Sequence, residues 1–191
     1  YAGPYFLFVL LFFLILSAAA TEIGKEKKKE LGTYEKARSW KNVVANGLVA
    51  LFIACAYRID LLFYFAPKLF LVIAYTASMS GVTADKFASE IGVLDGDPVM
   101  LLNLKKVRKG TSGAITILGT LASMLGSFLL SLSLLLLQVS WAYIILITAF
   151  GFVGSIVDSI AGYFEEKGKG NKYTSNLLCA ISSTLLAIVI I

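Results

Sequence analysis

Long apolar runs alternate with short polar runs along almost the whole chain. We identify six hydrophobic segments, which are Tyr5–Ala19, Asn42–Tyr57, Ile59–Met79, Ala114–Leu137, Trp141–Gly162 and Asn176–Ile191. About 20 helical residues are needed to cross roughly 30 Å of hydrocarbon. The runs are continuous and do not alternate with a period of two, which disfavours a transmembrane barrel. The pattern therefore predicts an all-α, polytopic transmembrane helix bundle that forms a single domain over residues 1–191.

Short interruptions suggest how these segments connect. Pro67 and Lys68 interrupt the third segment, and tight turns at Tyr57–Asp60 and Gln138–Ser140 predict antiparallel helix hairpins. The first segment has no basic residue before it and many spans after it, so we interpret it as a true span and not as a signal peptide. The chain begins at Tyr1 and not at methionine, which is consistent with a missing N-terminal piece.

Three polar loops carry most of the basic residues, and these account for most of the net charge of +5. The loops are Thr21–Lys41, Val82–Gly113 and Glu165–Ser175, and an even number of spans separates each from the next. The positive-inside rule therefore places all three in the cytoplasm. Since the bases lie beside spans, nucleic-acid binding is a poor explanation. Attraction to anionic lipid and a phosphate site are the two alternatives.

The absence of histidine restricts the available chemistry. Without histidine the chain has no Ser-His-Asp triad and lacks the commonest zinc ligand. Cys55 and Cys179 lie in apolar runs and are expected to be small buried side chains. Catalysis would have to use carboxylates, Lys and Arg, hydroxyls, backbone amides or a hard metal ion.

Two carboxylates lie in the helix-forming stretch from Thr83 to Gly92. Asp85 and Ser89 are four residues apart and share a helix face, while Glu90 lies on an adjoining face. Carboxylates at a membrane boundary can hold Mg²⁺, which keeps waters for a substrate phosphate. The alternative is an ordinary solvated helix end. Asp95 and Asp97 follow in a turn, where we expect them to be turn formers.

A basic and glycine-rich stretch precedes the fourth hydrophobic segment. Its residues are Lys105, Lys106, Arg108, Lys109, Gly110, Thr111, Ser112 and Gly113. Glycines allow close approach to an anion, and the free N–H groups of a following helix attract negative charge. Thr111 or Ser112 is expected to cap that helix. A stripe of small residues that begins at Gly113 and includes Thr116 favours close helix packing.

Two polar residues lie inside predicted spans. Asp158 occurs in the fifth segment, and a carboxylate within a span indicates function because its burial is costly. Asn46 lies one turn into the second segment, where a helix–helix hydrogen bond and a ligand contact are equally plausible interpretations. The predicted topology brings these residues to one membrane face. Acidic residues, a basic loop and apolar walls together suggest phosphoryl or nucleotidyl transfer on a lipid phosphate.

Four stretches resemble the signatures of one family. These are Arg38 with Asn42–Gly47, Ala84–Gly92, Gly110–Gly119 and Gly154–Ser159. The chain thereby resembles the integral membrane family that contains the plant phytyl-phosphate kinase of the vitamin E pathway, with distant similarity to dolichol and phytol kinases and to CDP-lipid synthases. Two positions depart from the signatures, because Lys86 stands where threonine is common and Ala114 where a second glycine is common.

The resemblance implies a CTP-dependent kinase that converts a phytyl or geranylgeranyl monophosphate into the diphosphate at the cytoplasmic face. In this hypothesis Asp85, Glu90 and Asp158 hold Mg²⁺ and carry catalysis. The phosphates are bound by Asn46, Lys86, Lys105, Lys106, Arg108, Lys109, the Gly110–Gly113 loop and Thr116. The expected partners are CTP, the prenyl monophosphate and membrane lipid. Two alternatives are cytidylyl transfer onto a lipid phosphate, and a small transporter or flippase in which Asp158 and Asn46 line a path.

Overall fold

A computed structural model describes residues 3–34, 40–59 and 67–191. Within these ranges the chain forms seven α-helices, which are α1 (Gly3–Glu22), α2 (Lys25–Glu30), α3 (Trp40–Arg58), α4 (Lys68–Gly92), α5 (Ile117–Ser131), α6 (Trp141–Glu165) and α7 (Lys172–Ile190). A 3₁₀ turn, Leu132–Leu137, continues α5. Strands β1 (Val99–Met100) and β2 (Ala114–Ile115) pair antiparallel between α4 and α5. The predicted all-α fold is confirmed.

Five of the described helices have the length and apolar composition needed to cross a bilayer. They are α1, α3, α5 with its 3₁₀ continuation, α6 and α7. Their outer faces carry large exposed apolar side chains, such as Ile15, Phe52, Leu121 and Ile145. Such surfaces would be unfavourable in water and are the expected lipid-facing surfaces of a bundle. The predicted polytopic membrane architecture therefore holds.

Helix α4 occupies the centre of the bundle. It packs against α1, α3, α5, α6 and α7, and most of its side chains are buried. Because its neighbours are protein and not lipid, it does not need a continuous apolar surface. Its buried hydroxyls bond to carbonyls one turn earlier, as Thr76 does with Val72 (2.8 Å) and Thr83 with Met79 (2.7 Å). Polar groups are therefore satisfied inside the helix.

The boundaries of α4 differ from those predicted. The helix begins at Lys68, directly after Pro67, because proline fixes a backbone angle suited to a helix start and has no N–H to leave unpaired. It continues to Gly92, so the prediction of a polar loop beginning at Val82 was wrong. Of the polar residues of this stretch, Thr83, Lys86 and Glu90 are buried, whereas Asp85 is half-buried and Ser89 is exposed. Residues 60–66, and with them part of the predicted third segment and the end of the Tyr57–Asp60 turn, lie outside the described residues.

Helix α5 begins later than predicted. Thr116 is its N-cap, and the Thr116 hydroxyl accepts a hydrogen bond from the Gly119 amide at 3.0 Å. The prediction that Thr111 or Ser112 caps this helix was therefore wrong, since the β1–β2 hairpin holds Ala114 and Ile115 extended before the helix starts. Asp95 adds a second cap, because its carboxylate accepts from the Leu118 amide at 3.1 Å.

Small residues allow α4, α5 and α6 to pack closely, as the sequence predicted. A Cβ added to Gly126 would lie 2.6 Å from the ring of Phe87. The Ser80 and Ser127 hydroxyls are 2.7 Å apart across α4 and α5, and Ser127 donates to the Thr148 carbonyl on α6 at 2.7 Å. The turn at Gln138–Ser140 is also confirmed, with Ser140 capping α6.

Candidate functional site

A cavity of about 720 Å³ lies at one end of the bundle. Helices α4 and α6 end there, and α5 and α7 begin there, so four helix termini contribute to its wall. The loop before β2 and the residues after α2 complete the lining. The volume lies within the range of roughly 300–1,000 Å³ typical of ligand sites. The sequence prediction that polar residues gather at one face of the bundle agrees with this arrangement.

Asp85 and Asp158 face each other in this cavity. Asp85 lies on α4 and Asp158 on α6, each about 10 Å from the end of its helix. The Asp158 carboxylate lies within hydrogen-bonding reach of Asp85 and of the Ser175 hydroxyl on α7. Glycines bring the supporting helices together, since a Cβ on Gly154 would lie 2.0 Å from the Ser183 hydroxyl.

Two buried oxygen atoms of the cavity wall have no partner in the part of the chain that the structure describes. They are Asp158 Oδ1 and Ser123 Oγ. A buried polar atom without a partner costs about 1–3 kcal/mol. Two adjacent carboxylates, one with an unpartnered oxygen, are the hard oxygen donors that Mg²⁺ prefers, so this pair fits a divalent cation.

Glu90 does not join the aspartate pair. Five residues place Glu90 roughly 140° around the helix from Asp85. Its carboxylate instead contacts Lys86 on the same helix and Lys28 on α2, the latter at 2.8 Å. Among the described residues, no three His, Cys, Asp or Glu side chains gather into a possible metal site. The predicted three-carboxylate site is therefore reduced to Asp85 and Asp158.

Lys86 likewise has a different environment from the predicted one. Its side chain is buried against Glu90 and is not part of the cavity wall. Lys28 is fully buried in the same cluster, where it donates to the Ala20 carbonyl at 3.2 Å as well as to Glu90. The prediction that Lys86 binds phosphate is not supported by this geometry. The cluster links α1, α2 and α4 beside the cavity.

The Gly110–Gly113 loop lies on the cavity, as expected, and already binds carboxylates. The Ser112 amide donates to Glu166 at 3.0 Å, and the Ser112 hydroxyl donates to Glu165 at 3.0 Å. Ser175 also reaches Glu165 at 3.4 Å. The loop is therefore an anion-binding turn whose present anions belong to the end of α6. Thr111 lines the same wall.

The predicted basic residues divide into two groups. Lys109 lines the cavity, whereas Lys105, Lys106 and Arg108 do not. Lys106 forms an exposed ion pair with Asp97 at 2.7 Å. This pair lowers the pKa of the Asp97 carboxyl and raises that of the Lys106 ammonium. Three of the four basic residues predicted to bind phosphate therefore lie outside the cavity wall.

Asn46 and Thr116 are engaged in structural hydrogen bonds. Asn46 accepts from the Asn176 side chain at 2.8 Å, which joins α3 to α7. Of the two interpretations of Asn46, the helix–helix hydrogen bond is the one observed, and Asn176 is the partner that reaches the cavity. Thr116 lines the cavity, and its hydroxyl donates to the Gly92 carbonyl at 3.2 Å while capping α5. Arg38 lies outside the described residues.

Several cavity residues were not predicted from the sequence. They are Ser123, Ser155, Glu165, Glu166, Lys172, Ser175 and Asn176. Asn176 and Ser175 begin the apolar run of α7 and follow the same rule that identified Asn46, so position at a span terminus could have found them. Apart from Glu90, which two lysines contact, the described lining contains four carboxylates but only Lys109 and Lys172 as cations. The described lining therefore carries more carboxylates than cationic side chains.

Comparisons with known proteins identify relatives across nearly the whole chain. The family described as "Integral membrane protein DUF92" matches residues 1–181. An uncharacterized membrane protein of Methanocaldococcus jannaschii is 38% identical over all of this chain and 78% of its own length. An uncharacterized membrane protein of Synechocystis is 32% identical over 81% of this chain and 60% of its own length.

A plant relative is more distant. The protein named PGR of Arabidopsis thaliana is 28% identical, and the match covers 81% of this chain and 62% of that protein. The chain thus spans about three fifths of the cyanobacterial and plant relatives. No solved structure matches this chain.

Proposed function

Because the chain belongs to the integral membrane family DUF92, we propose that its cavity is the active site of a CTP-dependent kinase that converts an isoprenoid monophosphate into the diphosphate. The main observation in support is the Asp85–Asp158 pair, which lies in a cavity whose wall has more carboxylates than cationic side chains. Two facing carboxylates repel each other unless a proton or a cation lies between them. A pair that is retained inside a membrane protein despite this cost indicates function.

Asp85 and Asp158 are the residues that would hold Mg²⁺ in this proposal. A metal held there would supply charge neutralisation on the triphosphate, which is a main contribution of metals to phosphoryl transfer. Ser175 lies beside the pair and supplies a hydroxyl that can orient a carboxylate or a water. The pair would supply only some of the oxygen ligands of such an ion. This suits Mg²⁺, because Mg²⁺ keeps waters and substrate phosphates as ligands.

Lys109 and Lys172 are the cations placed to attract phosphates. Lys109 lies in the loop before β2 and Lys172 is the first residue of α7, and both line the cavity, so they can contact separate phosphate groups. The Ser112 amide and hydroxyl are further donors, once Glu165 and Glu166 release them. We infer that an incoming phosphate exchanges with these carboxylates. Phe152 and Ile156 of α6 also line the cavity and give it an apolar part that suits a lipid.

The reaction itself requires little acid–base chemistry from the protein. A phosphate monoester has a second pKa of about 6, so the acceptor oxygen of a lipid phosphate is already ionised near neutral pH. That oxygen forms a bond to the γ-phosphorus of CTP, and the bond from this phosphorus to the β–γ bridging oxygen breaks. CDP leaves with the electron pair of that bond. The lack of histidine is therefore compatible with the reaction.

We assign the cavity to the cytoplasmic side of the membrane. Basic residues follow α1, precede α5 and precede α7, and each of these three connections reaches the cavity end. The positive-inside rule supports a cytoplasmic position for such loops. Trypsin added to sealed vesicles should cleave after Lys167 or Lys169 only in the inverted orientation. Cleavage only in right-side-out vesicles would reverse the assignment.

The direct test uses purified protein in detergent with Mg²⁺, CTP and geranylgeranyl or phytyl monophosphate. Mass spectrometry follows CDP and the prenyl diphosphate, with ATP as a parallel donor. Asp85→Asn and Asp158→Asn should each abolish turnover, while Glu26→Gln, which changes an exposed carboxylate outside the cavity, is the control. No turnover with any prenyl phosphate, or full turnover by both cavity variants, would reject the proposal.

Product analysis also separates the two alternatives. Pyrophosphate together with a CDP-lipid would indicate cytidylyl transfer, because that reaction breaks the bond at the α-phosphorus. Lipid or solute flux in liposomes without nucleotide would indicate a transporter or flippase. Asp158→Asn should also lose cytidylyl transfer or transport, if one of these is the activity of the protein.

A further inference from the structure

A second cleft lies against the first turn of α5, on the outer side of the bundle. Its volume is about 410 Å³. Val99 and Ile115 of the β1–β2 hairpin form one wall, and Ile117 and Leu121 of α5 form the other. The charged residue at this cleft is Asp97, and Lys106 neutralises it at 2.7 Å. The cleft is therefore apolar and suits hydrocarbon.

This cleft adjoins the main cavity. Ile115, Thr116 and Thr120 belong to the lining of both. These three residues therefore lie at the boundary between the main cavity and the apolar cleft. The Thr120 hydroxyl donates to the Thr116 carbonyl at 2.9 Å. Because this hydrogen bond is made within the helix, an apolar group can lie against Thr120 without leaving the hydroxyl donor unpaired. Thr120 is thus the side chain that a molecule occupying both spaces would contact.

The open side of the cleft faces the lipid. Helix α5 with its continuation is one of the candidate spans. Ile117 is 80% exposed and Leu121 is 59% exposed, and in a bilayer such side chains contact acyl chains. Met124, Leu125 and Phe128 continue this exposed apolar face along the helix at intervals of three to four residues. A chain lying in the cleft can therefore continue into the bilayer.

We propose that this cleft holds the first part of the hydrocarbon tail of a single-chain lipid phosphate, whose phosphate group lies in the main cavity. This inference rests on the proposed function and names how its lipid substrate binds. A single-chain lipid fits because the hairpin and α5 bound one cleft between them. The phosphate enters sideways from the membrane past Thr120, and the tail stays in hydrocarbon throughout, which avoids the cost of exposing it to water.

An open cleft has a consequence for specificity. A closed pocket discriminates between tails of different length, because a tail that is too long fits only if the tail or the protein is strained. Here only the part of the tail nearest the phosphate contacts protein. Binding should therefore improve with tail length until the cleft is filled, and then stay constant for longer tails. The enzyme would select an isoprenoid phosphate by its head group and first units.

The test is photo-crosslinking in detergent without nucleotide. The probe is an alkyl monophosphate with a diazirine close to the phosphate, and peptide mass spectrometry locates the adducts. We expect adducts at Val99, Ile115, Ile117 or Leu121, suppressed by geranylgeranyl monophosphate and not by geranylgeraniol. Adducts spread evenly over the outer faces of α1, α3 and α7, or equal suppression by the alcohol, would show adventitious lipid only and overturn the proposal.

Matched variants test the same path. Thr120→Trp should fill the wall between the two spaces and lower the competed adducts at least about tenfold. Leu125→Trp lies on the same lipid-facing side of α5 but outside the cleft, and should leave them unchanged. Equal effects of both variants would reject the path. If the adducts lie in the cleft and are suppressed by the prenyl phosphate, but the protein never releases CDP, the cleft binds the lipid and the kinase proposal is rejected. If the protein turns over CTP but the adducts lie elsewhere, the kinase proposal stands and the cleft proposal is rejected.

Discussion

Gly113 and Gly162 pack backbone against backbone where the loop before β2 crosses the end of α6. A Cβ on Gly162 would lie 2.4 Å from the Gly113 nitrogen, and a Cβ on Gly113 would lie 2.4 Å from the Ser159 carbonyl oxygen. Gly113 also has a φ of +72°. This contact holds Ser112 against Glu165 and Glu166, so it fixes one wall of the cavity.

Replacing Gly113 by alanine should therefore destabilise the protein through two separate causes. Positive φ costs about 1–2 kcal/mol for a residue with a Cβ, and overpacking adds about 1–3 kcal/mol. Gly168→Ala is the control, because Gly168 has a φ of +75° with open space around its Cβ position and should show only the first cost. Thermal unfolding in detergent at one scan rate compares them. Equal midpoints would contradict the steric explanation.

The buried Lys28–Glu90 pair is expected to stabilise the junction of α2 and α4. Lys28→Met keeps a long side chain but removes its charge, so Glu90 loses one of the two lysines that contact it. Removing one partner of a buried pair costs about 3–5 kcal/mol. We expect a loss near the lower end, since Lys86 still contacts Glu90. The unfolding midpoint should fall clearly.

The control for this prediction is Lys25→Met. Lys25 lies on the same polar segment and contacts Glu22 at 2.7 Å, but this pair is exposed, and water screens it. Its loss should not change the midpoint measurably. If Lys28→Met and Lys25→Met unfolded at the same temperature, the buried cluster would have no structural role.

Acidification should loosen the start of α5. The backbone N–H groups of Gly96 and Leu118 bind the Asp95 carboxylate and lower its pKa below 3.8. Because the pKa is lowered on folding, the ionised Asp95 carboxylate stabilises the folded state above pH 3.8, and this stabilisation is lost as the pH falls through the folded-state pKa. Hydrogen exchange of the Leu118 amide, corrected for its intrinsic rate, should lose protection in that acidic range.

The Gly119 amide provides an internal comparison. It donates to the Thr116 hydroxyl, which does not titrate, so its protection should change much less over the same range. Asp95→Ala should remove the pH dependence at Leu118 and lower protection there at neutral pH. Parallel loss of protection at both amides would indicate general unfolding of the helix and would refute the role of Asp95.

Local patterns in the sequence predicted the helices and the end of the bundle at which Asp85 and Asp158 meet. The alternation of spans and loops is sufficient for this, because it determines which helix ends share a face. The same 3.6-residue period also separates Glu90 from Asp85, so the mistaken third metal ligand was avoidable. The residues around Asp85 resemble a family signature, but a signature does not report which face each side chain occupies.

Contacts between distant segments were not predictable in this way. Lys28 meets Glu90 only because α2 folds back beside α4, and Ser112 meets Glu166 only because the loop crosses α6. Lys28 is the middle residue of three consecutive lysines, and its neighbours Lys27 and Lys29 are exposed, so the local sequence does not distinguish it. The central position of α4 was hidden for a related reason, since a helix surrounded by protein carries polar residues that resemble a loop.

Asp158→Asn should affect stability and metal binding in different ways. Asp158→Asn removes a charge from a pair of facing carboxylates, so without Mg²⁺ the variant should unfold at the same temperature as the unmodified protein or higher. Mg²⁺ should raise the unfolding midpoint of the unmodified protein, because a ligand that binds only the folded state stabilises it by mass action. It should not do so for Asp158→Asn or Asp85→Asn, whereas Asp97→Asn should respond fully. An equal Mg²⁺ response in all four proteins would show that the aspartate pair does not bind the ion.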